Sequence, residues 1–187
     1  MSALERITEI AEEEQECLTG YKGVITSDHA YIHDGKAFTA ILSTGSISAV
    51  YRVGFTTPSV ASGKFIHWRP LAITSSADYV DIQLTEDDSF TGGTTITPIN
   101  RNRLSEATST MQAFSNGVTS TPTGIVIQAS GIGVSGNTVS QAGGGAGADQ
   151  ELVLKQNTSY VITLTPDGAT TVRASLFWYE EDKGIDG

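Results

Sequence analysis

Between residues 21 and 180, apolar side chains recur at every second position or in short apolar runs, and turn-forming residues separate the runs. Parallel sheets need crossover connections of about a dozen residues or more, usually helical, and no helical pattern lies between these runs. The sequence therefore predicts a mainly β protein, an antiparallel β-sandwich or jelly roll. The clearest predicted strands are 47–53, 79–84, 151–155 and 160–165, with others at 23–26, 37–42, 65–73, 124–129 and 171–179.

Glycine-containing turns separate these predicted strands. Asp34-Gly35 and Asp167-Gly168 are hairpin signals, because glycine readily adopts the positive φ that primed turns require. Residues 131–149 are rich in glycine and form a predicted surface loop. Long loops in compact domains are often functional, so we expect this loop to be used in contacts.

The first twenty residues follow a different pattern. In residues 3–18, apolar Leu4, Ile7, Ala11 and Leu18 recur at helical spacing among glutamates, and Gly20 follows. This predicts a short N-terminal amphipathic helix, and hence an acidic arm at 1–20 before a β-sandwich domain at 21–187. An isolated helix of this length is marginal, so it needs a surface to pack on. That surface could be its own sandwich or a neighbouring subunit.

Charge and cysteine content restrict the function classes. The net charge is −10, and much of it lies at the two ends: residues 1–20 hold six glutamates against one arginine. Proteins that bind nucleic acid present Lys or Arg to the phosphates, so we expect no nucleic-acid partner. Cys17 is the only cysteine, which excludes an intrachain disulfide. No apolar run is long enough to span a membrane, and an acidic start is unlike a signal peptide, so synthesis in the cytoplasm is expected.

Two short motifs match ligand-binding patterns without the structural context that these patterns need. Residues 131–136 spell G-x-G-x-x-G, but residues 137–149 are too rich in glycine to form the helix that a dinucleotide site requires. His29 and His33 would form a metal-binding pair on a helix. The Asp34-Gly35 turn favours extended chain instead, in which four residues span about 13 Å and two rings cannot share one ion. No metal or cofactor is therefore predicted.

Other candidate sites have ordinary explanations. The acidic run at 86–88 lacks the spacing of a calcium loop and is expected to be a solvated turn. No G-x-S-x-G nucleophile motif occurs, so no catalytic residue is predicted and we do not expect an enzyme. Aromatic residues at strand positions more often fill a core or an interface than form a sugar-binding platform. The residues concerned are Trp68, Tyr79, Tyr160, Phe177, Trp178 and Tyr179.

Four segments, taken in order, carry a resemblance to a known family. They are Ile82-Gln-Leu-Thr-Glu86, Gly92-Gly-Thr-Thr-Ile-Thr-Pro-Ile-Asn-Arg-Asn-Arg103, Glu151-Leu-Val-Leu-Lys-Gln-Asn-Thr-Ser-Tyr-Val-Ile162 and Ser175-Leu-Phe-Trp-Tyr-Glu180. Over residues 45–180 the chain resembles tailed-bacteriophage virion proteins described as head decoration, cement or stabilisation proteins. The strongest parts of the match are the N-R-N-R element and the pairing of E-L-x-L-K-x-N-T-x-Y with the closing W-Y-E. The N-terminal helix is outside it.

The resemblance implies a β-sandwich that assembles as a homotrimer on the outer surface of the capsid, with the major capsid protein as its partner. The protein would stabilise the assembled head by multivalent clamping of capsomers. On an extended chain, Arg101 and Arg103 would point to one side, toward an acidic partner, while Asn100 and Asn102 point to the other. Ordinary salt bridges within the sandwich are the alternative for the two arginines. Leu4, Ile7 and Ala11 are further candidate contacts between subunits or with the capsid.

Two other functions remain open at this stage. A tail- or fibre-associated module of the virion could bind a host glycan, using the aromatic residues and the glycine-rich loop. A glycan hydrolase is the third hypothesis, although no pair of carboxylates stands out in the sequence. Binding to purified capsids separates the first hypothesis from these two.

Overall fold

The structure is a computed structural model of the chain, and it describes residues 27–87, 89–121, 123–133 and 151–182. In these residues one α-helix precedes thirteen β-strands. The elements are α1 (Ser27–His33), β1 (Ala37–Ile47), β2 (Tyr51–Thr56), β3 (Lys64–Ser75), β4 (Val80–Glu86), β5 (Phe90–Thr91), β6 (Thr94–Ile96), β7 (Ile99–Asn100), β8 (Gln112–Ser115), β9 (Thr119–Ser120), β10 (Ile125–Ile132), β11 (Leu152–Leu154), β12 (Ser159–Pro166) and β13 (Thr170–Asp182), with a 3-10 turn at Val60–Ser62.

Eleven of these strands form two antiparallel sheets, as predicted, and eight of the eleven are connected as a jelly roll. One sheet has the order β11-β3-β13-β1-β7, and the other has the order β10-β4-β12-β2-β8-β6. The outermost strands in sequence, β1 and β13, pair with each other, and the next ones inward pair as β2 with β12, β3 with β11 and β4 with β10. This nested pairing is what results when a long antiparallel hairpin is wound into two layers. We call the first of these sheets sheet A and the second sheet B.

The core lies between the two sheets. Successive residues of a strand point to opposite faces, so the alternate residues of β1, Phe38, Ala40 and Leu42, are buried while Ile41 is exposed on the outer face. Large side chains from both sheets meet in the middle, including Trp68 and Trp178 from sheet A and Phe55 and Tyr160 from sheet B. The Phe55 ring stacks on Trp68 at a centroid distance of 4.7 Å and on Tyr160 at 5.4 Å.

The chain between β4 and β10 is an insertion that extends both sheets. Strand β7 adds to sheet A beside β1, and β8 and β6 extend sheet B beyond β2. Strands β5 and β9 pair with each other and place Phe90 over Gly54. Short strands of two to four residues carry little periodicity, and the sequence did not predict these five. The insertion also places the N-R-N-R element at the β1 edge of sheet A.

Two strand and turn predictions are wrong in detail. The run at 47–53 is not one strand, since β1 ends at Ile47 and β2 begins at Tyr51 in the opposite sheet. Asp167-Gly168 is a bend and not a hairpin, because it joins β12 in sheet B to β13 in sheet A. In a jelly roll, consecutive strands cross between the layers, so local turn chemistry does not reveal which strands pair.

Asp34-Gly35 ends a helix and does not form a hairpin. The Lys36 amide donates to the Tyr31 carbonyl, and the Gly35 amide donates to the Ile32 carbonyl. With Gly35 at φ 69°, these bonds make a Schellman motif, the common C-terminal cap of an α-helix. The residues before this turn, 28–33, are therefore helical, and the predicted extended conformation around the two histidines is wrong.

Several predictions fall outside the described residues. These are the helix at 3–18 with Leu4, Ile7 and Ala11, the arm at 1–20, the strand at 23–26, and most of the loop at 131–149. Of that loop, Gly131 and Ile132 belong to the end of β10.

Candidate interaction surface

The N-R-N-R element forms a tight turn at the edge of sheet A. We call residues 100–104 the Asn-Arg turn. Asn100 is the last residue of β7 and is buried, with 8% of its surface exposed. Its Nδ2 donates to the Gly35 carbonyl at 2.8 Å and to the Ala107 carbonyl at 3.0 Å, and its Oδ1 accepts from the Asn102 amide at 2.9 Å. One amide side chain therefore joins the helix cap, the turn and the segment that follows it.

Asn102 makes two further hydrogen bonds in the same turn. Its Nδ2 donates to the His33 carbonyl at 2.9 Å, and its Oδ1 accepts from the Leu104 amide at 3.0 Å. A side chain that bonds the backbone two residues ahead is a common way for Asn to fix a turn. The two asparagines thus have structural roles, and they determine the backbone conformation of the residues between and after them.

The same turn leaves its other side chains in solvent. Arg101 and Arg103 are exposed, and Leu104 is 96% exposed. The Arg101 guanidinium lies over the Phe177 ring at 5.5 Å from its centroid, and Arg103 Nη1 reaches the Asn100 carbonyl at 3.5 Å. A cation–π contact of this kind at an exposed site contributes about 0.5–1 kcal/mol.

This geometry changes the predicted roles of the four residues. The extended chain ends at Asn100, so the expectation that both arginines share a side through strand alternation is wrong. Neither arginine has a described ion pair within the sandwich, which was the alternative. Leu104 was not among the contacts predicted from the sequence. Its position directly after a run of polar turn-forming residues is the one local signal that it is exposed.

A network of aromatic and charged side chains lies beside the turn, on the outer face of sheet A. The Tyr179 ring stacks on Tyr31 at 4.0 Å and on His67 at 4.4 Å. The two ring nitrogens of His67 lie 2.8 Å from Glu151 and 3.0 Å from Glu181. No local sequence signal could have predicted this network, because its members come from α1, β3, β13 and Glu151, which precedes β11.

The network perturbs the ionisation of its members. Burial and the nearby Glu181 carboxylate raise the pKa of Tyr31 to about 12. Burial alone would raise the pKa of Glu151, but hydrogen bonds from Tyr179 and His67 and the charge of Arg69 outweigh it, so the pKa is lowered. The Glu151 carboxylate is therefore held in its charged form, with Arg69 Nε 3.0 Å from Oε2.

A second carboxylate fixes the segment that leads from the Asn-Arg turn to β8. Glu180 is 3% exposed and accepts hydrogen bonds from the Ser109 hydroxyl at 2.6 Å and from the Thr110 amide and hydroxyl at 2.8 and 2.7 Å. The Trp178 indole donates to the Ser109 hydroxyl at 3.2 Å. The chain from Asn100 to Thr110 is thus fastened to the sandwich at both ends, through Asn100 and through Glu180.

The remaining sequence candidates lie elsewhere. Trp68, Trp178 and Tyr160 are in the core, so they cannot form a sugar-binding platform. His29 and His33 lie together on α1, with their Nε2 atoms 2.7 Å apart. Within the described residues, no group of three or more His, Cys, Asp or Glu side chains is arranged to hold a metal ion, and no helix is long and apolar enough to cross a membrane.

Comparisons of this chain with protein-family models, with curated proteins and with solved structures find no match.

Proposed function

We propose that this protein is a structural component of a tailed-bacteriophage virion that binds the outer surface of the capsid and stabilises the assembled head. The observation that carries the proposal is the Asn-Arg turn, which presents Leu104 almost fully to solvent directly after the exposed Arg101 and Arg103. The resemblance over residues 45–180 supports the assignment to the virion, and jelly-roll domains are common in viral capsids.

The turn has the properties of a protein-binding knob. Arginine is enriched among the residues that dominate binding energy at interfaces, and an apolar side chain that fills a pocket gives the contact its core. Fixing a loop before binding lowers the entropy that association would otherwise cost. Asn100 and Asn102 fix this loop with five hydrogen bonds of 2.8–3.0 Å. The expected partner surface is acidic around an apolar pocket.

The overall charge favours a position on the outside of the head. The interior of a filled head faces DNA phosphate, and a chain with a net charge of −10 would be repelled there. A knob that bears two arginines on an otherwise acidic protein allows attraction to a local acidic patch without general affinity for nucleic acid.

The proposed assembly is a homotrimer that binds the major capsid protein. Each knob makes a small contact, and linking three knobs raises the effective concentration of the second and third contacts once the first has formed. Binding only to the assembled shell would stabilise that state by mass action. Native mass measurement of the purified protein tests the trimer directly.

Co-sedimentation with purified heads tests the capsid partner. The wild-type protein should sediment with expanded heads and raise the temperature at which they release DNA. We expect Leu104→Ser to weaken binding about tenfold or more, as for an interface anchor. Val60→Ser is the matched control, because Val60 is also exposed, at 66%, but lies on the 3-10 turn before β3. No sedimentation of the wild type, or equal losses in both variants, would reject the proposal.

The glycan-binding alternative has less structural support. Sugar recognition by aromatic residues needs an open ring face, whereas Tyr179 is packed against Tyr31 and His67, and Phe177 lies under Arg101. A glycan array that gives specific binding, together with no sedimentation on heads, would make this alternative the better proposal.

A further inference from the structure

Helix α1 brings two histidines together on its exposed face. His29 and His33 are four residues apart, so they lie one above the other on a helix. Their rings stack with centroids 4.5 Å apart, and the two Nε2 atoms are separated by 2.7 Å. We propose that this pair is a chelating site for a divalent transition-metal ion of the copper, nickel and zinc group.

The distances suit a shared ion after a small adjustment. Imidazole nitrogens bind zinc at about 2.0–2.1 Å, so two nitrogens on one ion lie about 2.9 Å apart at a right angle and about 3.3 Å apart at a tetrahedral angle. The observed separation is shorter by a few tenths of an ångström, which small rotations of exposed side chains can supply. Two histidines at this spacing on one helix face supply zinc ligands in known metalloproteases.

The helix that carries the pair is held in place before any ion binds. A seven-residue helix is not stable alone, but α1 is fastened on two sides. The Tyr31 ring stacks on Tyr179, and the Tyr31 hydroxyl donates to Glu181 at 3.3 Å. The His33 carbonyl accepts from Asn102. The ligands are therefore preorganised, which reduces the free energy that ordering them on binding would cost.

The ligand type determines which ions fit. Imidazole nitrogens favour copper, nickel and zinc, whereas magnesium and calcium take oxygen ligands. Without a metal, one ring can donate its Nε2 proton to the other. An ion would replace that proton, and water would complete its coordination. The inference does not rest on the proposed capsid binding, since neither histidine belongs to the Asn-Arg turn.

Titration calorimetry on the full chain without a histidine tag tests the site. Nickel is the first probe, because the Cys17 thiol does not reduce it. We expect one equivalent of Ni²⁺ to bind, and we expect His29→Gln and His33→Gln each to lower the affinity at least tenfold. His67→Gln is the control: its ring is already engaged by Glu151 and Glu181, so it should change the affinity less than twofold.

A second measurement covers the case in which a variant binds through other groups. The electron paramagnetic resonance spectrum of bound Cu²⁺ should show coordinated imidazole nitrogens that are absent from the double variant His29→Gln/His33→Gln. Mg²⁺ should give no binding heat. The proposal is overturned if either single variant keeps wild-type nickel affinity, if His67→Gln loses as much as they do, or if the wild type binds no nickel.

Discussion

Replacing Asn100 by alanine should unfasten the Asn-Arg turn from the sandwich. The side chain makes three hydrogen bonds of 2.8–3.0 Å in a site that is 8% exposed. A hydrogen bond contributes about 1 kcal/mol net, and leaving the buried Gly35 carbonyl without this partner adds to the loss. The Gly35 and Ala107 carbonyls and the Asn102 amide would all lose a partner. We expect Asn100→Ala to lower the free energy of unfolding by about 3 kcal/mol.

Asn100→Asp separates the hydrogen bonds that Asn100 donates from the one that it accepts. Aspartate keeps the acceptor for the Asn102 amide but loses both donors, and it places a carboxylate beside the Gly35 and Ala107 carbonyl oxygens. Burying a charge among acceptors costs more than losing the side chain, so Asn100→Asp should be less stable than Asn100→Ala at neutral pH. The order of the two variants tests whether the donated bonds are the important ones.

Urea denaturation followed by tryptophan fluorescence measures these changes. The chain has two tryptophans, Trp68 and Trp178, and both are buried in the core, so their emission reports global unfolding. Asn102→Ala is the matched control, because its two hydrogen bonds lie in solvent where water can replace them; its loss should be about 1 kcal/mol. A loss below about 1 kcal/mol for Asn100→Ala, or equal losses in the two alanine variants, would refute the reasoning.

Two further predictions concern the stability of the fold. Gly124→Ala should lower the free energy of unfolding by about 1–3 kcal/mol, because a Cβ there would lie 2.0 Å from the Glu86 carbonyl oxygen at the start of the β4–β10 pairing. Gly45→Ala is the control and should be close to neutral in the same urea assay, because a Cβ there meets nothing within 4 Å; similar losses in the two variants would contradict this explanation. The lowered pKa of Glu151 means that its carboxylate stabilises the fold above its ordinary pKa of 4.5 and that this contribution is lost as the pH falls through the lowered value. The difference in unfolding free energy between wild type and Glu151→Gln should therefore narrow below pH 4.5. A difference that stays constant with pH would show that the charge of Glu151 does not stabilise the folded state.

The sequence predicted the long strands well because burial on one face leaves a period of two. Strands β1, β3, β4, β10, β12 and β13 each contain or overlap a predicted segment, and the mainly antiparallel sandwich follows from their spacing. The failures are local. Asp34-Gly35 fits both a hairpin and a helix cap, since each needs a glycine with positive φ. Only the bonds from Gly35 and Lys36 back to α1 decide between them.

The sequence offers residues 100–103 as candidate contacts, which stays a prediction. The directions of these side chains, which were derived for a strand, are wrong for a turn. They depend on the Gly35 and Ala107 carbonyls that Asn100 finds in other segments, and no local pattern encodes such partners. The sequence did not predict the His29–His33 pair for the same reason, because α1 is held by the packing of Tyr31 against Tyr179.

The amino-acid sequence by itself determined a β architecture, an acidic surface charge and the positions of most long strands, because these depend on composition and on neighbours two residues apart. Tertiary structure alone decided which strands pair across the two layers, that residues 27–33 are helical, and that Leu104 projects from a fixed turn. The physical reason is the range of the interactions. Alternating burial acts within one strand, whereas the bonds of Asn100 and the stacking of Tyr31 join residues that only the folded chain brings together.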